Sequence, residues 1–227
     1  MSLWSRIADA VSALAGGEGL ASVFDRLRTP PERTVAFAIA VIALGAKMAK
    51  ADGQVTRDEV TAFREVFTIP PGEERNAARV FDLARQDVAG FDVYARRIAS
   101  MFGAGHQTLV DLMEGLFHIA LADGAYHPDE DDFLARVAAI FGLGEREFRS
   151  LRARFVQGAA PDPYAVLGVA PDAPMDEVRA AWRQAVRQSH PDALIARGVP
   201  EEAAKLAERR MVDVNRAWEE ISRERAG

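Results

Sequence analysis

Ala181-Trp182-Arg183-Gln184-Ala185-Val186-Arg187-Gln188-Ser189-His190-Pro191-Asp192 decides how this chain is read. Val178, Trp182, Ala185 and Ser189 recur at helical spacing, and Arg179, Arg183 and Arg187 form a parallel stripe one residue away. Proline fixes its own φ and biases the residue before it away from helical geometry, so this helix must end at His190. Beyond the break, Ala204, Ala207, Met211, Val214, Trp218 and Ile221 mark the apolar face of a second helix. His190 and Asp192 are thereby displayed on a connection between two helices, beside guanidinium groups spaced i, i+4, i+8. That pattern describes an interaction surface. An aspartate can orient a histidine base, but a nucleophile or a metal must complete such a site. The chain has no cysteine, and Ser189 falls on the core stripe, so a non-enzymatic role is expected.

Composition narrows the classes. Of 227 residues, 49% are hydrophobic and 27% charged, as in an ordinary soluble protein of one medium and one small domain, or of two domains of similar size. Zero cysteines exclude disulfides and thiolate metal sites. The net charge of −6 argues against general nucleic-acid binding. The most apolar run, Val35 to Leu44, is closed quickly by Gly45, Lys47 and Lys50. A membrane span needs about 20 apolar residues, so this run reads as a buried helix, and a cytoplasmic protein is expected. At the start, Leu3, Trp4, Ile7, Val11 and Leu14 form an amphipathic stripe ended by Gly16-Gly17. Packing on its own domain or on a second subunit, as in a homodimer, fits the stripe better than a membrane interface. Only Arg6 is available there to meet anionic lipid.

An internal repeat lies between Pro30 and Phe155. Lys50-Ala51-Asp52-Gly53 through Glu59 corresponds to Leu121-Ala122-Asp123-Gly124 through Glu130, and the correspondence extends outward to Val41 with Leu112 and Val66 with Val137. Each copy reads helix, tight turn, helix, and no strand-period stretch appears, so the fold class is all-α. Thr56 and Glu59 form a capping box; Pro128 and Glu130 repeat the cap. Asp52 and Asp123 close helices at the negative end of the dipole, an unfavourable place for a carboxylate. Two readings stand: a turn closed by bonds to backbone amides, or a divalent cation held by Asp52 and Glu59, or by Asp123 and Glu130. Neither His106 nor His118 has a partner at zinc spacing. Small residues and two prolines between Gln157 and Pro163 mark the linker.

Several stretches carry a resemblance. Asp162-Pro163-Tyr164-Ala165-Val166-Leu167-Gly168-Val169, then Ala181-Trp182-Arg183, His190-Pro191-Asp192 and Asn215-Arg216-Ala217-Trp218, resemble a J domain, the module that defines DnaJ co-chaperones. Leu194 through Glu201 is similar to the loop of DjlA-type co-chaperones, in which a TerB-like helical domain precedes the J domain. The paired Ala-Asp-Gly turns resemble the TerB-like family. The resemblance implies residues 1–29 as an N-terminal helical segment, 30–157 as the TerB-like domain, 158–162 as linker and 163–227 as the J domain. It implies a core of Tyr164, Leu167, Trp182, Met211 and Trp218 in the tail. It further implies that His190, Pro191, Asp192, Arg179, Arg183 and Arg187 bind a DnaK-type chaperone and stimulate its ATP hydrolysis. The larger domain would select a client, a partner or a location; the alternative is a metal- or stress-responsive module with the J domain as effector. Three departures matter. Ala193 stands where the family usually has lysine, and Gln184 and Gln188 stand where this helix is often more basic, which implies weaker or more selective chaperone binding. No membrane-spanning segment is expected within residues 1–227, whereas the DjlA-type pattern begins with one.

Overall fold

The computed structural model describes residues 3–12, 32–51, 66, 69, 71–72, 74–75, 90–122, 124–156 and 162–226. Among them every regular element is helical. The larger module comprises α1 (Leu3–Ser12), α2 (Glu32–Ala51), α3 (Phe91–Phe102), α4 (Gln107–Ala120), α5 (Pro128–Ile140) and α6 (Glu145–Phe155). The tail comprises α7 (Pro163–Leu167), α8 (Met175–Gln188), α9 (Pro191–Ala196), a 3-10 turn (Glu201–Ala203) and α10 (Ala204–Glu224).

Helix α2 is apolar on every side and is buried accordingly, from Val35 through Leu44. It packs against α1, α3, α4 and α5 and is the axis of the larger core. A Cβ on Gly45 of α2 would lie 3.0 Å from the Ile119 Cδ1 of α4, so the glycine lets the two helices approach closely. Leu3, Trp4 and Ile7 face inward onto this core, so these side chains do not form a free apolar surface for a membrane or a second subunit. The side chains of Val11 and Leu14 lie outside the described residues. No helix among the described residues is long and apolar enough to cross a membrane.

The tail begins at a capped turn. The Asp162 carboxylate accepts from the Tyr164 amide at 3.0 Å, Pro163 supplies the first helical φ, and Gly168 (φ 66°) ends α7 in the left-handed region. Asp162→Ala is expected to cost about 1 kcal/mol, read from urea unfolding. The tail core holds Tyr164, Val166, Leu167, Val178, Val214, Ala217 and Ile221. Trp182, Met211 and Trp218, expected in that core, are only half-buried. The two indoles stack at its rim, 4.9 Å between centroids, where Trp182 Nε1 can donate to Asn215 Oδ1 at 3.0 Å. A buried indole N–H needs a partner, and the rim supplies one.

One feature runs against a simple two-module division. Leu194, Val199, Ala203, Leu206 and Ala207 belong to the larger module's core, not to the tail's. Helix α10 therefore serves two cores: its first turns face α4, and its later turns, with Val214, Ala217 and Ile221, face α8 and α7.

Candidate functional site

Helix α8 ends at Gln188, and the buried Ser189 hydroxyl donates to the Ala185 carbonyl at 2.7 Å. His190 has extended backbone (φ −67°, ψ 133°) and is the N-cap of α9, with Pro191 at the first helical position. The connection expected from sequence is thus the start of a short helix. Pro191 lacks an N–H, which costs nothing at a position whose amide has no intrahelical acceptor. The Asp192 amide donates to His190 Nδ1 at 3.2 Å. In the neutral ring the remaining proton then sits on Nε2, which faces away from the cap. The two side chains are 61% and 89% exposed, with His190 Nδ1 3.7 Å from the Asp192 carboxylate.

Arg179, Arg183 and Arg187 are all exposed on α8. The Arg179 guanidinium lies 6.0 Å from the Trp218 ring centroid, so the first cation of the stripe leans over α10. Beside Pro191 opens a largely apolar groove of about 310 Å³, lined by Ser189, Pro191, Ala207, Glu208, Met211, Val212 and Asn215. Val212 on its wall is 58% exposed. Histidine, aspartate and the apolar slot thus sit at one end of the α8–α10 pair, with the exposed arginines following along α8. The arrangement offers hydrogen bonds, positive charge and a small hydrophobic contact.

The other proposed site residues are distributed differently. Asp52, Glu59 and Asp123 lie outside the described residues. Glu130 is 7% exposed, and its Oε2 accepts from the His127 amide at 2.9 Å, so that oxygen serves the α5 cap. Nearby, Tyr126 donates to Asp131 at 2.7 Å, and Arg152 pairs with Asp131 at 3.2 Å. Among the described residues no group of three or more His, Asp or Glu side chains is placed to hold a metal.

Sequence reading missed a buried ionic cluster between the modules. Asp111 and Glu114 of α4 are 0% and 1% exposed. Arg210 of α10 donates through Nε to Glu114 at 2.8 and 3.0 Å, and through Nη2 to Asp111 at 2.6 Å as well as to Glu114. Arg154 of α6 pairs with Glu114. Arg197, just after α9, donates to Asp111 Oδ2 through Nε at 3.1 Å and Nη2 at 3.0 Å. Burial works to raise the Glu114 pKa, but the Arg154 and Arg210 charges outweigh it and hold this carboxyl below its ordinary value. A signal was available: Asp111 and Glu114, three apart, share one face of an otherwise apolar run from Leu109 to Phe117, and carboxylates that such a helix buries need cationic partners.

Comparison with known proteins agrees with this architecture. The family model for tellurite resistance protein TerB matches residues 38–153, and the DnaJ domain model matches residues 162–226. Co-chaperone protein DjlA of Aliivibrio fischeri is 27% identical, the alignment covering 86% of this chain and 80% of that protein. The protein of the same name from Shewanella oneidensis is 28% identical over 78% of this chain and 74% of its own length. That from Coxiella burnetii is 27% identical over 79% and 74%. No solved structure gives a significant match. Since the TerB match spans more than half of its 227 residues and a DnaJ domain follows directly, the chain belongs to the TerB family in its DjlA-like arrangement, with a C-terminal J domain.

Proposed function

We propose that this chain is a co-chaperone that binds a DnaK-type chaperone through its J domain and stimulates that partner's ATP hydrolysis. The observation that carries the reading is the exposed His190-Pro191-Asp192 cap beside the exposed arginines of α8. An acidic partner surface would be drawn to Arg179, Arg183 and Arg187 over long range, and the cap would make the short contacts that follow. The groove beside Pro191 suits one apolar side chain of that partner. Hydrolysis would occur on the partner, in the cytoplasm; this chain contributes binding. The TerB-like domain would supply client, partner or location specificity.

The test is single-turnover ATP hydrolysis by a DnaK-type chaperone with and without the full chain. Acceleration that saturates with added chain is expected, and its absence removes the proposal. Reversing the stripe (Arg179→Glu, Arg183→Glu, Arg187→Glu) is expected to raise the half-saturating concentration by roughly tenfold or more at low salt. With a Debye length of about 8 Å at physiological ionic strength, the gap between variant and wild type should narrow as salt is added. A gap that is constant with salt would mean that the arginines do not act through their charge.

A further inference from the structure

Both arms of the His190 cap are tied to the larger module. On one side Arg197 Nη2 donates at once to Asp111 Oδ2 and to the carbonyl of Gln188, each at 3.0 Å. Gln188 is the last residue of α8, two before His190. On the other side the Arg197 carbonyl accepts from the Thr108 hydroxyl at 3.2 Å, and Leu194 and Val199, each 1% exposed, are set into the larger core. Thr108 and Asp111 are both 0% exposed and lie on neighbouring turns of α4. The arms are held by a buried helix of another module, while the tip between them stays open.

We propose that Arg197 is a positioning residue: through Asp111 and the Gln188 carbonyl, the TerB-like domain fixes the direction in which the J domain presents His190 and Asp192. This rests on the reading that the cap engages a DnaK-type partner. A side chain that bridges two elements with a planar fork sets an angle as well as a distance, which lysine with a single ammonium cannot reproduce. A partner that needs the cap in one orientation binds with less ordering cost when the fold has already chosen it. The larger module is then part of the working site, although none of its residues need touch the partner.

The experiment uses the full chain and two readouts: single-turnover stimulation of a DnaK-type chaperone, and amide hydrogen exchange at Asp192 and Ala193 in the chain alone. Arg197→Ala is expected to raise the half-saturating concentration for stimulation by roughly three- to tenfold and to speed exchange at the cap. Arg197→Lys should fall between Ala and wild type in both. Ile195→Ala, in the same short helix but 50% exposed, should match wild type. If Arg197→Ala does not fold, Arg197→Lys is read in its place. Stimulation unchanged in the Arg197 variants, while wild type stimulates and His190→Gln does not, overturns the positioning role and leaves the co-chaperone reading intact. A raised half-saturating concentration with unchanged exchange would make Arg197 a direct contact and overturns it equally. No stimulation by wild type, or stimulation indifferent to His190→Gln, brings down the underlying reading.

Discussion

His190→Gln is expected to lower the stimulated hydrolysis rate by roughly 10- to 100-fold while leaving the fold in place. The size follows from what the ring offers. Its Nδ1 is engaged by the Asp192 amide, so a partner docking as proposed would meet Nε2–H at a 61% exposed side chain. Losing one hydrogen bond to a charged or strongly polarised acceptor is worth about 1.5–3 kcal/mol, and about 1.4 kcal/mol is a factor of ten in rate. Stability should move little, within about 0.5 kcal/mol, because Pro191 continues to set the first turn of α9 and the side chain is largely in water. Hydrolysis traces at saturating chain, alongside a urea melt of each protein, separate the two quantities. Equal stimulation by variant and wild type would remove the cap from the mechanism.

Glu114→Leu is expected to be the most damaging single change to stability, costing about 3–5 kcal/mol. The carboxylate is 1% exposed and accepts from both Arg154 and Arg210, whose side chains are 7% and 5% exposed. Removing it leaves Arg210 with Asp111 and Arg154 with the field of the half-buried Asp213, a charge imbalance that hydrophobic packing cannot offset. For a chain of this length such a loss corresponds to a fall in melting temperature of roughly 6–20 °C. The double variant Glu114→Leu with Arg210→Met should recover a substantial share, since both a charge and its partner are then replaced by apolar side chains of similar bulk. Thermal and urea unfolding of the single and double variants measure this. A loss under about 1 kcal/mol in the single variant, or no recovery in the double, would mean that the cluster does not bind the modules together.

The two outcomes draw on parts of the molecule that were unequally visible in the sequence. The α8–α10 hairpin was readable because its determinants are local: helical spacing from Val178 to Ser189, a proline stop, and a second apolar face from Ala204 to Ile221. The inward stripe of α1 was readable for the same reason. The rim position of Trp182, Trp218 and Met211 was not, because helical spacing marks a face without saying how deep it lies; the indole N–H of Trp182 settled that through Asn215. The ionic cluster was hidden by distance along the chain. Glu114 and Arg210 are 96 residues apart, Asp111 and Arg197 86, and no local pattern pairs them. Leu194 and Val199 fall in the stretch similar to a DjlA-type loop, whereas their burial, with that of Leu206, belongs to the larger module's core.

That assignment of Leu194, Val199 and Leu206 bears on how the tail behaves when cut free. A fragment starting at Asp162 would keep its own small centre around Val178 and Ile221, but would turn a greasy flank, together with the orphaned charge of Arg210, toward water. Such a piece should self-associate as its concentration rises, in keeping with the habit of exposed apolar patches, and light scattering by the excised tail would show it.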